Sequence, residues 1–278
     1  MSLLRIERKF LAKPESTNRK YIISGSMVEE YVYEHSREYN LLSDQSRSKG
    51  SGIRRVIPPE EQEKIEIRTG ERAKRNLRRL VNANNREWKD EDGKPWTQKF
   101  LTLTFAENVQ DLDMANHLFT DFIKRFNYAV FHENRNHLKY VAVHEVQERG
   151  AIHYHIIFFN LPYMRNDKIA RIWGHGFTKT KKISSINNVG AYLAKYLTKQ
   201  DHTARQRGQK RYFSSRNLRL PLRVRNQESA NRIATLLRNE TPTYEKESEY
   251  HFRYRTYDLS KSFAVRKSVL ESLQDRYS

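Results

Sequence analysis

The chain reads as an α+β protein built on an antiparallel sheet in the order β-α-β-β-α-β, with helices on one face and an added tyrosine-bearing helix. Three observations predict this. Short runs rich in β-branched and aromatic residues alternate at period two, and apolar residues between them recur at helical spacing. Glu148-Arg149-Gly150 stands between two strand-like runs as the tight connection of a hairpin.

The elements follow in order. Lys99-Phe-Leu-Thr-Leu-Thr-Phe105 alternates and carries β-branched residues, so it is a strand. Leu112, Ala115, Leu118, Phe119, Phe122, Ile123 and Phe126 hold helical spacing, with Asp111 and Asp113 at the start and Lys124 and Arg125 at the end, the signs a helix dipole favours. The runs 138–147 and 150–160 form the hairpin, ended by Asn160-Leu-Pro162. A short helix over Lys168–Trp173 and a strand over Gly176–Ile183 complete the unit. Such a sheet keeps helices on one face and leaves the other for a ligand, as in ferredoxin-like and RNA-recognition architectures.

A further helix spans Asn187–Lys199. At about 100° per residue, Tyr192, Lys195, Tyr196 and Lys199 share one face, while Leu193, Ala194 and Leu197 form the packing edge. Ahead of the sheet, Glu71–Asn85 reads as a basic amphipathic helix in which Leu77, Leu80 and Val81 pack and Lys74, Arg75, Arg78 and Arg79 are presented. Residues 1–70 have few periodic apolar positions and a Ser-rich stretch at 43–51, which predicts a partly flexible N-terminal extension. The main domain is placed at 71–225. Residues 226–278, with a helix over 229–238, a tyrosine-rich alternating stretch over 244–257 and a helix over 261–276, form a C-terminal extension without a chemical motif.

Charge bounds the partners. Lys and Arg total 52 against 33 Asp and Glu, a formal net charge of +19. A polyanion is the expected partner. No apolar run reaches the roughly 18 residues of a membrane span, and Met1–Arg8 lacks the apolar segment of a signal peptide, so a soluble intracellular protein with no membrane partner is expected. The chain has no cysteine, which leaves any metal to His, Asp and Glu. No phosphate-cradling glycine loop is present. Candidate DNA contacts are Arg75, Arg78 and Arg79 on the basic helix, Lys179 and Lys181 on the last strand, and Arg211 and Arg216 in a basic stretch with Tyr212 and Phe213 interleaved.

The chemistry concentrates in Gly150-Ala-Ile-His-Tyr-His-Ile-Ile-Phe-Phe159. Alternate strand residues share a face, so His153 and His155 point together. A turn centred on Arg149 sets Glu145 opposite His153 on that face. A His-x-His pair alone fits packing as well as chemistry; a carboxylate beside it, costly to bury without a cation, fits a metal bound by Glu145, His153 and His155 with open positions for catalysis. Tyr192 and Tyr196, at i and i+4, are equally consistent with a packing pair. As nucleophiles they need help, because a phenol titrates near about 10; a metal that polarises a phosphate, with Lys195 or Lys199 offsetting charge, supplies it.

Phe100-Leu-Thr-Leu-Thr-Phe105, Glu145-Val-Gln-Glu-Arg-Gly-Ala-Ile-His-Tyr-His155 and Gly190-Ala-Tyr-Leu-Ala-Lys-Tyr-Leu-Thr-Lys199 resemble, in order and spacing, the three motifs of HUH endonucleases, and most closely rolling-circle replication initiators of bacterial plasmids and phages. The resemblance spans about residues 71–225 and includes Ile172-Trp-Gly-His-Gly176. It implies that Glu145, His153 and His155 bind Mg²⁺ or Mn²⁺, and that a motif tyrosine cuts single-stranded or hairpin origin DNA, leaving a 5′-phosphotyrosyl link and a 3′-OH. Host DNA polymerase and helicase are the implied partners, and the bacterial cytoplasm the implied location. Tyr192 and Tyr196 fit both the two-tyrosine and the one-tyrosine pattern, so the order of attack stays open. Two other readings remain: a transposase or mobilisation relaxase with the same motifs, and a non-catalytic single-strand-binding module of RNA-recognition architecture.

Overall fold

In a computed structural model, residues 15–39, 58–183, 188–198, 211–249 and 251–274 are described, and all structural statements concern these. The chain divides into two compact units: residues before Pro58 together with those from Pro221 onward, and Pro58–Leu220.

The Pro58–Leu220 unit opens on helix α1 (Pro59–Asn84), followed by β3 (Lys99–Phe105), α2 (Leu112–Phe131), β4 (Tyr140–Val146), β5 (Ile152–Phe158), α3 (Asn166–Trp173), β6 (Gly176–Lys182), α4 (Val189–Thr198) and β7 (Phe213–Ser214). The sheet order is β6-β3-β5-β4-β7, and each of these pairings is antiparallel. The α+β architecture and the β-α-β-β-α-β sequence are thus as expected. Two sets of side chains leave the sheet on opposite faces because successive strand residues alternate. Leu101, Leu103, Tyr154, Ile156 and Phe158 pack on one face with Phe119, Phe122 and Phe126 of α2 and Trp173 of α3. Tyr154 stacks on Phe119 with centroids 4.5 Å apart. Phe100, Val141, Val143 and Ile157 occupy the other face and pack with Leu77 and Val81 of α1 and Leu193 and Ala194 of α4.

The helix-free face is therefore narrower than expected, since α1 and α4 cover part of it. Gly190 allows this closeness: a Cβ there would lie 2.4 Å from the carbonyl oxygen of Arg78. Asn82 of α1 accepts a hydrogen bond from the Gly190 N–H at 3.0 Å, and Asn188 accepts one from Ala191 at 2.9 Å. Those side chains satisfy N–H groups that the first turn of α4 leaves without partners.

Two helices run beyond their expected limits. α1 begins at Pro59, with proline at its first position and Glu60 and Glu61 in its first turn, rather than at Glu71. Its first turns are polar all round, so no apolar stripe marks them. α2 continues to Phe131 and closes on His132 at φ 57°, which places Lys124 and Arg125 inside it. Lys124 pairs with Asp121 at 3.0 Å and Arg125 reaches the Ile172 carbonyl.

The other unit corrects the picture of two separate extensions at 1–70 and 226–278. β1 (Glu15–Ser24) and β2 (Met27–Tyr39) join at Gly25, φ 64°, and continue through β10 (Phe252–Asp258) to β9 (Tyr244–Ser248), with β8 (Leu222–Val224) beside β1. Both ends of the chain thus build one sheet. α5 (Gln227–Leu236) and α6 (Phe263–Gln274) contribute Ala230, Ile233, Val269 and Leu273 to the core it shares with Tyr21, Ile23, Val28 and Tyr257. Glu30 is buried there, accepting hydrogen bonds from the phenols of Tyr21 at 2.6 Å and Tyr257 at 3.1 Å, with Arg19 and Arg255 each 3.7 Å away.

Candidate functional site

The β4–β5 hairpin sets Glu145 opposite His153 and Val143 opposite His155, the register expected from a turn at Arg149. Gly150 sits in that turn at φ 82°, which glycine adopts without strain. The Glu145 carboxylate, however, meets the diagonal neighbour rather than the residue facing it. Its Oε2 lies 2.7 Å from His155 Nε2. Diagonal positions on one face are within reach of a long side chain.

Each imidazole is held from behind at Nδ1. Thr102, opposite His155 on β3, places Oγ1 3.2 Å from its Nδ1. Gln147, two residues after Glu145 and on the same face, places Nε2 3.2 Å from His153 Nδ1. His153 Nε2 is buried and has no hydrogen-bond partner among the described residues. Burial lowers the pKa of His153, and Arg149 adds to this against the pull of Glu145. A neutral imidazole with an idle buried nitrogen is what a metal ligand offers.

Tyr196 closes the site from α4. Its ring stacks on His155 with centroids 3.8 Å apart, and Phe100 flanks both rings. Burial, a hydrogen bond with Tyr192 and the nearby charges of Tyr192 and Glu145 all push the Tyr196 phenol well above its ordinary pKa. Tyr192 lies one turn back, edge-on to Phe100 at 5.2 Å. Lys195 is exposed, with Nζ 5.8 Å from the Tyr192 ring centroid. Leu193, Ala194 and Leu197 are buried, as the helical wheel required. Lys199 lies outside the described residues.

Glu145, His153, His155, Tyr192 and Tyr196 are therefore brought together. Among the described residues no three His, Asp or Glu side chains stand as a closed metal site, because the Glu145 oxygen is engaged by His155. The donor set still fits a divalent ion in kind: one carboxylate, two imidazoles and one idle buried nitrogen suit Mn²⁺ and, through the carboxylate, Mg²⁺.

The candidate DNA contacts are scattered more widely. Arg75 and Arg78 are exposed on α1, Arg75 with Glu71 3.5 Å away, and Arg79 is half-buried. Lys179 and Lys181 are exposed on β6, and Arg216 is exposed after β7. Arg211 departs from expectation: its guanidinium lies against α1, 3.4 Å from the Glu66 carbonyl and beside Gly70, whose lack of a Cβ admits it. Much of the basic stretch containing Arg211 lies outside the described residues.

Sequence reasoning missed Thr102, Gln147 and Asn82. The first two carried a legible signal, since both alternate in step with the site face; Asn82 acts across a helix pair and carried none. Among the described residues no helix is long and apolar enough to cross a membrane.

No curated protein and no solved structure matches the chain. Residues 98–201 match the model of a family described as replication-associated protein, of the ORF2 type. That segment runs from the start of β3 past the end of α4 and contains every residue of the cluster. The chain is, over its candidate site, similar to replication-associated proteins, which supports a part in the initiation of replication.

Proposed function

We propose that the Pro58–Leu220 unit is a metal-dependent HUH endonuclease that nicks and rejoins DNA at a specific site and so initiates rolling-circle replication. The observation that carries this reading is the stacking of Tyr196 on His155 while Glu145 holds the same imidazole. A candidate nucleophile, a carboxylate and two imidazole donors share one site within the segment similar to replication-associated proteins.

Glu145, His153 and His155 would hold Mg²⁺ or Mn²⁺, which when bound supplies Lewis-acid polarisation of a phosphate oxygen. Thr102 and Gln147 keep the two imidazoles oriented. The Tyr196 oxygen forms a bond to phosphorus as the bond from phosphorus to the 3′ oxygen breaks. The phenol gives up its proton and the departing 3′ oxygen takes one up. Tyr192, hydrogen-bonded to Tyr196, is placed to receive that proton or to serve the later transfer. The phosphotyrosyl link conserves the energy of the phosphodiester, so rejoining requires no nucleotide. The free 3′-OH is the primer that a host polymerase extends once a helicase opens the duplex.

The test is a covalent adduct. The protein incubated with single-stranded origin DNA and Mn²⁺ is expected to give a species stable to boiling in detergent, absent with EDTA and absent for His153→Ala. No adduct with any divalent metal from the folded protein removes the proposal. A normal cut by His153→Ala removes the metal assignment.

A further inference from the structure

β6 forms one edge of its sheet, and its two sides differ. Thr178 and Thr180 hydrogen-bond Asn166 of α3, at 3.1 and 3.3 Å, so α3 covers their side. Phe177, Lys179 and Lys181 alternate with them and stand on the other face. That is the face of the histidines. Cross-strand register puts Phe177 beside Thr104, which lies beside His153, and puts Lys179 beside Thr102, which lies beside His155.

Phe177 is 72% exposed, an unfavourable position for a ring whose full burial is worth roughly 1.5–3 kcal/mol. Lys179 and Lys181 are exposed on the same side. Lysines along an edge strand oppose pairing with another strand, so a second copy of the chain fits this edge poorly. Single-stranded DNA uses both features, because each base offers a π-face to an aromatic ring and each phosphate a charge to lysine. A duplex keeps its bases stacked and offers no such face.

We propose that Phe177, with Lys179 and Lys181, forms a stacking step for a base of the single strand held at the Glu145–His153–His155 site. Two strand spacings, about 10 Å, separate Phe177 from His153 in the sheet, so the stacked base belongs to a nucleotide close to the scissile phosphate. The step rests on the reading that this site takes single-stranded DNA, and it names a subsite that reading does not contain.

The experiment measures fluorescence anisotropy of a labelled mixed-sequence single strand in EDTA, where no cutting occurs, for the full chain and its Phe177→Ala, Phe177→Trp and Lys179→Ala variants. Phe177→Ala is expected to bind about 5- to 100-fold more weakly with an unchanged salt slope. Phe177→Trp keeps wild-type affinity, and Lys179→Ala lowers the salt slope by about one phosphate contact. Wild-type affinity in a folded Phe177→Ala protein overturns the proposal. So does a Phe177→Ala change confined to sedimentation, which would make the edge a contact between copies. If Mn²⁺ never yields an adduct yet Phe177→Ala loses affinity, the nicking reading falls and the stacking step stands. If adducts form while Phe177→Ala binds normally, the step alone falls.

Discussion

The ring of Tyr196 lies over the imidazole of His155, centroids 3.8 Å apart and planes 26° from parallel. Tyr192, one turn earlier, meets Phe100 instead, edge-on at 5.2 Å. The two tyrosines of α4 are thus unequal: one touches a candidate metal ligand and the other touches its packing neighbour. Glu145 acts on the Tyr196 phenol as well.

Replacing the tyrosines singly by phenylalanine separates their roles. Tyr196→Phe is expected to lower adduct formation about 1000-fold or more, because the attacking oxygen is gone. Tyr192→Phe removes one hydrogen bond to that phenol and should cost about 10-fold or less. Quantified adduct on a denaturing gel checks both, and the reverse order would assign the first attack to Tyr192.

Thr102 and Gln147 hold the far nitrogens of the two imidazoles. Gln147→Leu should weaken Mn²⁺ binding by about 10- to 100-fold, the usual cost of removing an outer partner of a metal-ligating histidine, with thermal stability nearly unchanged. Titration calorimetry with Mn²⁺ on the DNA-free protein reads this directly. Equal affinities for variant and wild type would confine Gln147 to a surface role.

Gly190 sits where α4 crosses α1, with the Arg78 carbonyl 2.4 Å from the position a Cβ would take. The obstacle is backbone, so the helices must move apart. Gly190→Ala is expected to destabilise the protein by about 1–3 kcal/mol, as overpacking does, and to cut adduct yield by shifting Tyr196 off His155. Chemical denaturation and the adduct assay together test it; unchanged values in both would mean the helix contact is looser than the structure has it.

Lys99 begins β3 and donates to the Leu161 carbonyl at 2.6 Å, and burial lowers its pKa to about 8. In the unfolded chain the ammonium keeps its proton up to about 10.4. Between those values the unfolded state binds the extra proton, so this residue makes stability rise with pH from about 8 toward 10 and contributes no such gain below 8. Lys99→Met should lack the rise. Urea unfolding of both proteins from pH 7.5 to 9.5 measures the difference, and parallel curves would refute the assignment.

Local pattern determined what the sequence made legible: alternation gave β3 its ends, Lys99 and Phe105, and helical spacing separated the buried Leu193 and Ala194 from the half-exposed tyrosines of α4. The Arg149 turn even set the Glu145–His153 register, because a hairpin is closed by neighbours in the chain. Partners distant in sequence were beyond that pattern. The N-terminal hairpin showed little periodicity because its second strand alternates tyrosines and glutamates and buries Glu30 behind two phenols. Its pairing with β10 crosses roughly two hundred residues of chain.

The sequence by itself determined which side chains share a face: His153 with His155 and Glu145, and Tyr192 with Lys195 and Tyr196. Tertiary structure decided which of them touch. Glu145 takes the diagonal histidine, Tyr196 rather than Tyr192 covers it, and Arg211 folds back onto α1. The reason is physical: periodicity fixes direction relative to one element's axis, whereas contact depends on how two elements approach, and here Gly190 and Asn82 set that approach between α1 and α4.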